Sequence, residues 1–209
     1  MLALRVLNYL LTAFSGPGAG FMFGITAVMA FALAVGIERS WLFWLRWACD
    51  SRGSASAMSS GDSGAAVNAS GPLAGEVLQV GLSRDSDTRE AMENATVLVE
   101  ERIYRRLGLL SAAANVATML GLLGTVYGLI VAFSSLGESA TGQAASALSE
   151  GIATAMATTA YGLLVAIPAT ALHAILEARA EQLMASVEYL QGELLLHLPR
   201  LRGGEATEA

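Results

Sequence analysis

Six threonines carry the most suggestive chemistry of this 209-residue chain, and all six lie inside two long uncharged segments. Thr118 and Thr125 belong to LGLLSAAANVATMLGLLGTVYGLIVAF, Leu107 to Phe133. Thr154, Thr158, Thr159 and Thr170 belong to GIATAMATTAYGLLVAIPATALHAIL, Gly151 to Leu176. On an ideal helix, ~100° per residue gathers Ser111, Thr118, Gly121, Thr125 and Ala132 into one stripe. Ala155, Thr159, Gly162, Ala166 and Thr170 form a second, continuing to His173 and Glu177, with Thr154 ~140° away from it. A threonine hydroxyl can bond water, a cation or a neighbouring helix, but it does not titrate near neutrality. Alone in an apolar helix, such a residue satisfies itself on a carbonyl one turn back. Two aligned small-polar stripes suit an ion path or a polar partner helix better, so all six threonines are candidate pore-lining residues. A titrating group would have to come from a partner.

Other chemistries find no support in the residues. No Ser/His/Asp set, paired buried carboxylates or phosphate-cradling loop occurs, so an enzyme is not expected, and no cofactor. GLLGTVYG follows no strand and lacks the lysine of a phosphate loop. His173 and His197 are far apart, with no metal-ligand partner at useful spacing. Cys49 is the single cysteine, which excludes an internal disulfide. Twelve arginines and no lysine face eighteen acids, and a net charge of −6 argues against a nucleic-acid binder.

The elements that must position the threonines are membrane helices. Hydrophobic residues make up 54% of the chain and charged ones 14%, with mean hydropathy +0.54, too apolar for an ordinary soluble domain. Each threonine-bearing segment has the ~20 uncharged residues needed to cross a bilayer. A third run, Gly18 to Ile37, is equally long and ends at Glu38-Arg39 and the aromatic belt of Trp41, Phe43, Trp44 and Trp47. A cleavable signal peptide fits it less well, because only Arg5 precedes it and the run exceeds a usual signal core. Residues 1–17 are expected to hold a short interfacial segment, stopped by Ser15-Gly16-Pro17-Gly18.

The expected architecture is all-α with three spans, at 18–42, 107–133 and 151–176. Eight arginines lie between Glu38 and Arg106, none between Ser134 and Glu150, three in the C-terminal tail and one before the first span. The positive-inside rule puts 43–106 and 177–209 in the cytoplasm and the N-terminus and 134–150 outside. Ser/Gly/Ala-rich residues 51–72 read as a flexible linker, and 73–106 as helical. The second helix is expected to run unbroken from near Thr88 through Phe133. The third should continue past Leu176, because Leu183, Val187, Leu190 and Leu194 keep helical spacing. Together the extensions would form a cytoplasmic helical bundle. Gly121, Gly124, Gly128 and Gly162 should let helices touch, and Pro168 removes the bond from its own nitrogen to the Leu164 carbonyl, a candidate kink.

At these residues a family likeness emerges. LGLLGTVYGLI, followed by EGIATAMATTAYGLLVAIPA, resembles the two signature segments of the MotA/TolQ/ExbB proton-channel family, with Ile37-Glu38-Arg39 and Leu107-Gly108-Leu109-Leu110 as supporting matches. Three spans and one large cytoplasmic loop are most similar to the ExbB/TolQ type. The resemblance implies a homopentamer in the bacterial inner membrane, its second and third spans lining a pore. An ExbD/TolR-like single-span partner would occupy that pore and carry an essential aspartate. Proton or sodium flow past it would drive work at the envelope, through a TonB/TolA-like or other force-receiving protein. The family's pore threonines correspond to Thr125 and Thr159. Where ExbB and TolQ commonly have a glutamate three residues after the glycine of the GIAxA segment, this chain has Thr154. The alternative from another class is a non-conducting helical scaffold that anchors a complex in the bilayer.

Overall fold

The computed structural model describes residues 14, 18–43, 47, 50–83, 87–136 and 144–205, and among them it is all-α. The described residues form seven helices in succession: α1 Ala19–Trp41, α2 Ser51–Ser60, α3 Ser63–Ala69, α4 Gly71–Ser83, α5 Thr88–Tyr104, α6 Leu107–Leu136 and α7 Ala144–Glu205. Three stretches are long and apolar enough to cross a membrane: Ala19–Trp41, one within Thr88–Ser134 and one within Leu148–Pro199. The protein is therefore an all-α membrane protein with three candidate spans. The expected interfacial segment at 1–17 lies, apart from Phe14, outside the described residues, as do Trp44 and Cys49.

The chain divides into two compact units, Met1–Ile37 with Gly108–Ala174, and Glu38–Leu107 with Ile175–Ala209. The first holds most of α1, α6 and the first half of α7. Its core joins Ile25 of α1 to Ala117 of α6 and Val165 and Ala166 of α7, with Val28, Met29, Leu120 and Tyr161 packed around them. Polar contact between helices is sparse: the Thr26 hydroxyl stands 3.0 Å from the Tyr161 hydroxyl while donating to the Met22 carbonyl. Large apolar side chains on the outside, among them Leu122, Ile130, Phe133 and Ile167, are exposed, as lipid or another polypeptide requires.

In the second unit the expected periodicity holds. Leu183, Val187, Leu190 and Leu194 of α7 are all buried, as are Leu73, Val77 and Leu78 of α4 and Met92, Val99 and Ile103 of α5. Thr96 donates to the Gln191 side chain at 3.1 Å, and a Cβ on Gly81 would meet both Met92 and Leu194 within 2.8 Å. These apolar faces close on one another much as in any small bundle.

Two expectations need correction. Residues 51–72, read as a flexible linker, contain α2 and α3 and the start of α4. The signals were caps rather than periodicity: Asp50 accepts from the Gly53 nitrogen at 3.0 Å and Asp62 from the Ala65 nitrogen at 2.8 Å, while Gly61 ends α2 at φ 87°. Ser54, fully buried, donates to the Ala66 carbonyl at 2.6 Å and ties the two short helices together. The second correction concerns the helix expected to be unbroken from Thr88. It breaks at Arg105-Arg106, where Arg106 takes φ 69°. That left-handed conformation costs a side-chain-bearing residue about 1–2 kcal/mol. Two bonds from the Arg106 guanidinium to the Glu38 carboxylate, 2.6 and 2.8 Å, hold it there.

Removing either cap should loosen this region alone. Asp50→Ala or Asp62→Ala is expected to cost about 1 kcal/mol of local helix stability. Hydrogen exchange of amides in 51–69 should then accelerate about five-fold while α5 and α6 stay unchanged. Wild-type amides in 51–69 exchanging at random-coil rates would overturn the helical assignment.

Candidate functional site: the threonine seam between α6 and α7

The polar residues of the spans gather where α6 and α7 run against each other. Their order of contact is antiparallel: a Cβ placed on Gly151 would meet Ala132, on Gly128 would meet Ala155, on Gly124 Thr158, on Gly121 Gly162, and on Gly162 Ala117. The approach leaves no room for side chains. A Cβ at Gly162 would stand 2.8 Å from the Ala117 carbonyl oxygen and 3.0 Å from the Gly121 Cα, and one at Gly124 would stand 2.7 Å from the Thr158 hydroxyl oxygen. In hydrocarbon, where no hydrophobic force drives helices together, such small-residue contact is what van der Waals attraction and interhelical hydrogen bonds need. Gly124 and Gly128, a Gly-xxx-Gly pair in the sequence, both face α7 of the same chain.

The six threonines separate into two sets. Thr154 and Thr158 are 8% and 0% exposed, and a Cβ on Gly18 would lie 3.1 and 3.2 Å from their methyl groups. They therefore face the packing inside the chain. Thr118, Thr125, Thr159 and Thr170 are partly or more fully exposed on the flanks of the seam. Thr159 donates across the seam to the Gly121 carbonyl at 3.0 Å. Thr125 lies one turn beyond Gly121 on the same face of α6, so the two hydroxyls are within ~6 Å of each other in depth along the helices.

The hydroxyls of Thr118, Thr125, Thr158, Thr159 and Thr170 each give their proton to a backbone carbonyl. Thr118 donates to Ala114 at 3.1 Å and Thr170 to Ala166 at 2.9 Å, one turn back, whereas Thr125 and Thr158 donate three residues back, to Leu122 and Ala155. A hydroxyl whose proton is committed keeps its oxygen lone pairs as acceptors. At Thr125 and Thr159 those lone pairs can receive a bond from water or a donor helix, or approach a cation. Such oxygens are ligands rather than proton carriers.

Pro168 does not end α7, which continues through it to Glu205. The proline lines an apolar cavity of about 210 Å³ with Met29, Leu33, Leu110, Leu164 and Leu172. Among the described residues no group of three or more His, Cys, Asp or Glu side chains could hold a metal ion.

Sequence reasoning missed the Thr26–Tyr161 pair, which locks α1 to α7. It also passed over a cluster of arginines at the ends of two apolar runs. The signal lies in the sequence: Glu38-Arg39 follows the first run directly, and Arg105-Arg106 directly precedes the second.

The antiparallel glycine–threonine helix pair and the third candidate span define an all-α membrane protein, and comparison with known proteins gives its family. The chain belongs to the MotA/TolQ/ExbB proton channel family, which it matches over residues 68–189. Among relatives, an ExbB homolog of Methanothermobacter thermautotrophicus is 34% identical over 116 residues, 56% of this chain and 40% of that protein. Biopolymer transport protein ExbB of Aquifex aeolicus is 33% identical over 119 residues, 56% of this chain and 80% of that protein. Biopolymer transport protein exbB1 of Vibrio cholerae is 40% identical over 83 residues, 40% of this chain and 36% of that protein. The chain thus spans two fifths of the first of these relatives and four fifths of the second.

The seam's tightness is testable. Gly162→Ala should cost about 1–3 kcal/mol, the usual penalty of overpacking, read as a lower unfolding midpoint of the purified protein. Gly20→Ala, with nothing within 4 Å of the added carbon, should leave the midpoint unchanged. Equal behaviour of the two would refute the close approach.

Proposed function

We propose that the chain is the pore-forming subunit of an ExbB-type motor in the bacterial inner membrane, powered by a proton or sodium gradient. The observation that carries this reading is that Thr125 and Thr159 stand partly exposed, about one helical turn apart in depth, on the flanks of a seam without carboxylates. Several copies, five on the family's pattern, would bring these flanks around a common axis. The α6 and α7 spans contain no acid, so the subunit supplies oxygen ligands and a rigid wall, while an ExbD/TolR-like single-span partner supplies the aspartate that binds and releases the ion. The partner would pass the resulting motion to a force-receiving envelope protein and so energise biopolymer transport, the role named for the Aquifex and Vibrio relatives. Thr118 and Thr170 would extend the same path, whereas Thr154 and Thr158, buried within the chain, would support it through packing. This topology has the 43–106 region and the C-terminal half of α7 in the cytoplasm, as the arginine distribution favours.

The second reading, a scaffold that conducts nothing, draws on one observation: the hydroxyl bonds of Thr118, Thr125, Thr158, Thr159 and Thr170 all end on backbone carbonyls, as helix glue would. Substitution separates the two. Valine keeps the shape of threonine and loses only the hydroxyl. Interhelical hydrogen bonds in membranes average about 0.6 kcal/mol, too little for one of them to dismantle a multi-helix ring. Thr125→Val and Thr159→Val are therefore expected to abolish ion flux in vesicles with the partner co-expressed, with oligomer size by native mass spectrometry unchanged. Thr125→Ser and Thr159→Ser should conduct, and Thr154→Val should be milder. Normal flux in both valine variants would leave the hydroxyls as glue and remove the pore assignment.

Topology has its own check. In a Cys49→Ser background, a membrane-impermeant thiol reagent applied from the periplasmic side should label Ser149→Cys and spare Ser59→Cys. The reverse pattern would invert the orientation.

A further inference from the structure

Where α1 leaves its apolar run and α6 is about to begin one, the second unit holds a cavity of about 200 Å³ lined by Glu38, Arg39, Leu42, Trp47, Arg102, Arg105 and Arg106. Four guanidinium groups thus meet one carboxylate. Two of the four are matched by acids: Arg106 lies on both oxygens of Glu38, and Arg102 on both oxygens of Glu76 at 2.6 and 3.2 Å. Arg39 and Arg105 have no carboxylate partner among the described residues.

Arg39 is the unusual member. It is 4% exposed, yet among the described residues its Nε has no hydrogen-bond partner, while the group makes a 3.3 Å bond to the Arg102 carbonyl and lies 5.9 Å from the face of Trp47. A buried guanidinium with an unused donor, lining a cavity beside other arginines, is a large unmet demand for an anion. Oxyanions with several acceptor oxygens meet it best, since the planar fork of arginine matches phosphate. The cavity is smaller than the 300 Å³ or so of ordinary small-molecule pockets, which suits a headgroup rather than a nucleotide. Its place in the chain supplies the rest. Arg39 comes two residues after the apolar run that ends at Ile37, and Arg105-Arg106 one before the run that starts at Leu107. Both pairs therefore sit at the ends of membrane spans, where the phosphates of the bilayer are. Leu42 and Trp47 offer an apolar side to what is attached to the phosphate.

We propose that this arginine cavity binds the phosphate of an anionic phospholipid headgroup. The site lies outside the threonine seam and requires only that the chain be a membrane protein, so it stands or falls separately from ion conduction.

Lipid retention tests it on the full-length protein in detergent. The protein is incubated with equal amounts of phosphatidylglycerol and phosphatidylcholine, and bound lipid is read by native mass spectrometry. Phosphatidylglycerol should be retained several-fold over phosphatidylcholine. Arg105→Gln, at an exposed position whose cap bond is made by the backbone nitrogen, should weaken phosphatidylglycerol about five-fold, in line with ~1 kcal/mol per arginine near an anionic surface. Arg39→Gln should weaken it at least as much, with helix content by circular dichroism confirming the fold. Inorganic phosphate or glycerol 3-phosphate at millimolar concentration should not displace the lipid. Equal retention of the two lipids, or wild-type retention by Arg105→Gln, would overturn the site. Displacement by the soluble phosphates would make it a site for a free anion and overturn the lipid assignment.

Discussion

Helices in a bilayer gain nothing by hiding apolar surface from one another, since lipid is as apolar as they are. They stay together only if their backbones come close enough for dispersion and the occasional hydrogen bond to outweigh the lipid they displace. The seam of α6 and α7 meets that requirement, and the rest of the first unit follows from it. Gly121, Gly124, Gly128, Gly151 and Gly162 bring the two backbones into contact. Closeness in turn lets Thr159 reach the Gly121 carbonyl of the neighbouring helix. α1 then closes the back of the pair, with Gly18 against Thr154 and Thr158 and Thr26 against Tyr161. The side not covered by α1 keeps Thr125 and Thr159 partly open.

The same logic governs the polar chemistry. A hydroxyl in hydrocarbon must satisfy its proton, and a backbone carbonyl is always at hand. Committing the proton makes each threonine oxygen an acceptor, which suits coordination of water or a cation and not proton relay. The α6 and α7 spans contain no carboxylate, and the family the chain belongs to is one of proton channels.

Much of this was legible in the sequence because a bilayer writes simple rules. Uncharged runs of sufficient length marked the spans, and Leu183, Val187, Leu190 and Leu194 announced the C-terminal half of α7, each of them buried. Two short helices were overlooked because their evidence lay in single capping residues, Asp50, Asp62 and Gly61, amid a Ser/Gly/Ala composition that suggests mobility. The break at Arg105-Arg106 had no local sign at all, since arginine is a good helix former. Its stabilising partner, Glu38, is 68 residues away. The stripes held Thr118, Thr125, Thr159 and Thr170 and left out Thr154 and Thr158, the two that are buried, so grouping all six as pore-lining overlooked a distinction the helical period already carried.

The seam also sets how this sequence can drift. Any replacement at Gly162 adds at least a carbon where a carbonyl oxygen would be 2.8 Å away, so this position has nowhere to go by single steps. Change there demands a matching retreat on the opposite helix, where Gly121 and Ala117 have little left to give up. Leu122, Ile130 and Ile167, which face outward, can exchange among apolar types wherever lipid is their neighbour. Substitutions should therefore accumulate around the rim of the helix pair while its glycine spine stays fixed, so that a deep mutational scan would trace the line of contact as a string of intolerant positions three or four residues apart.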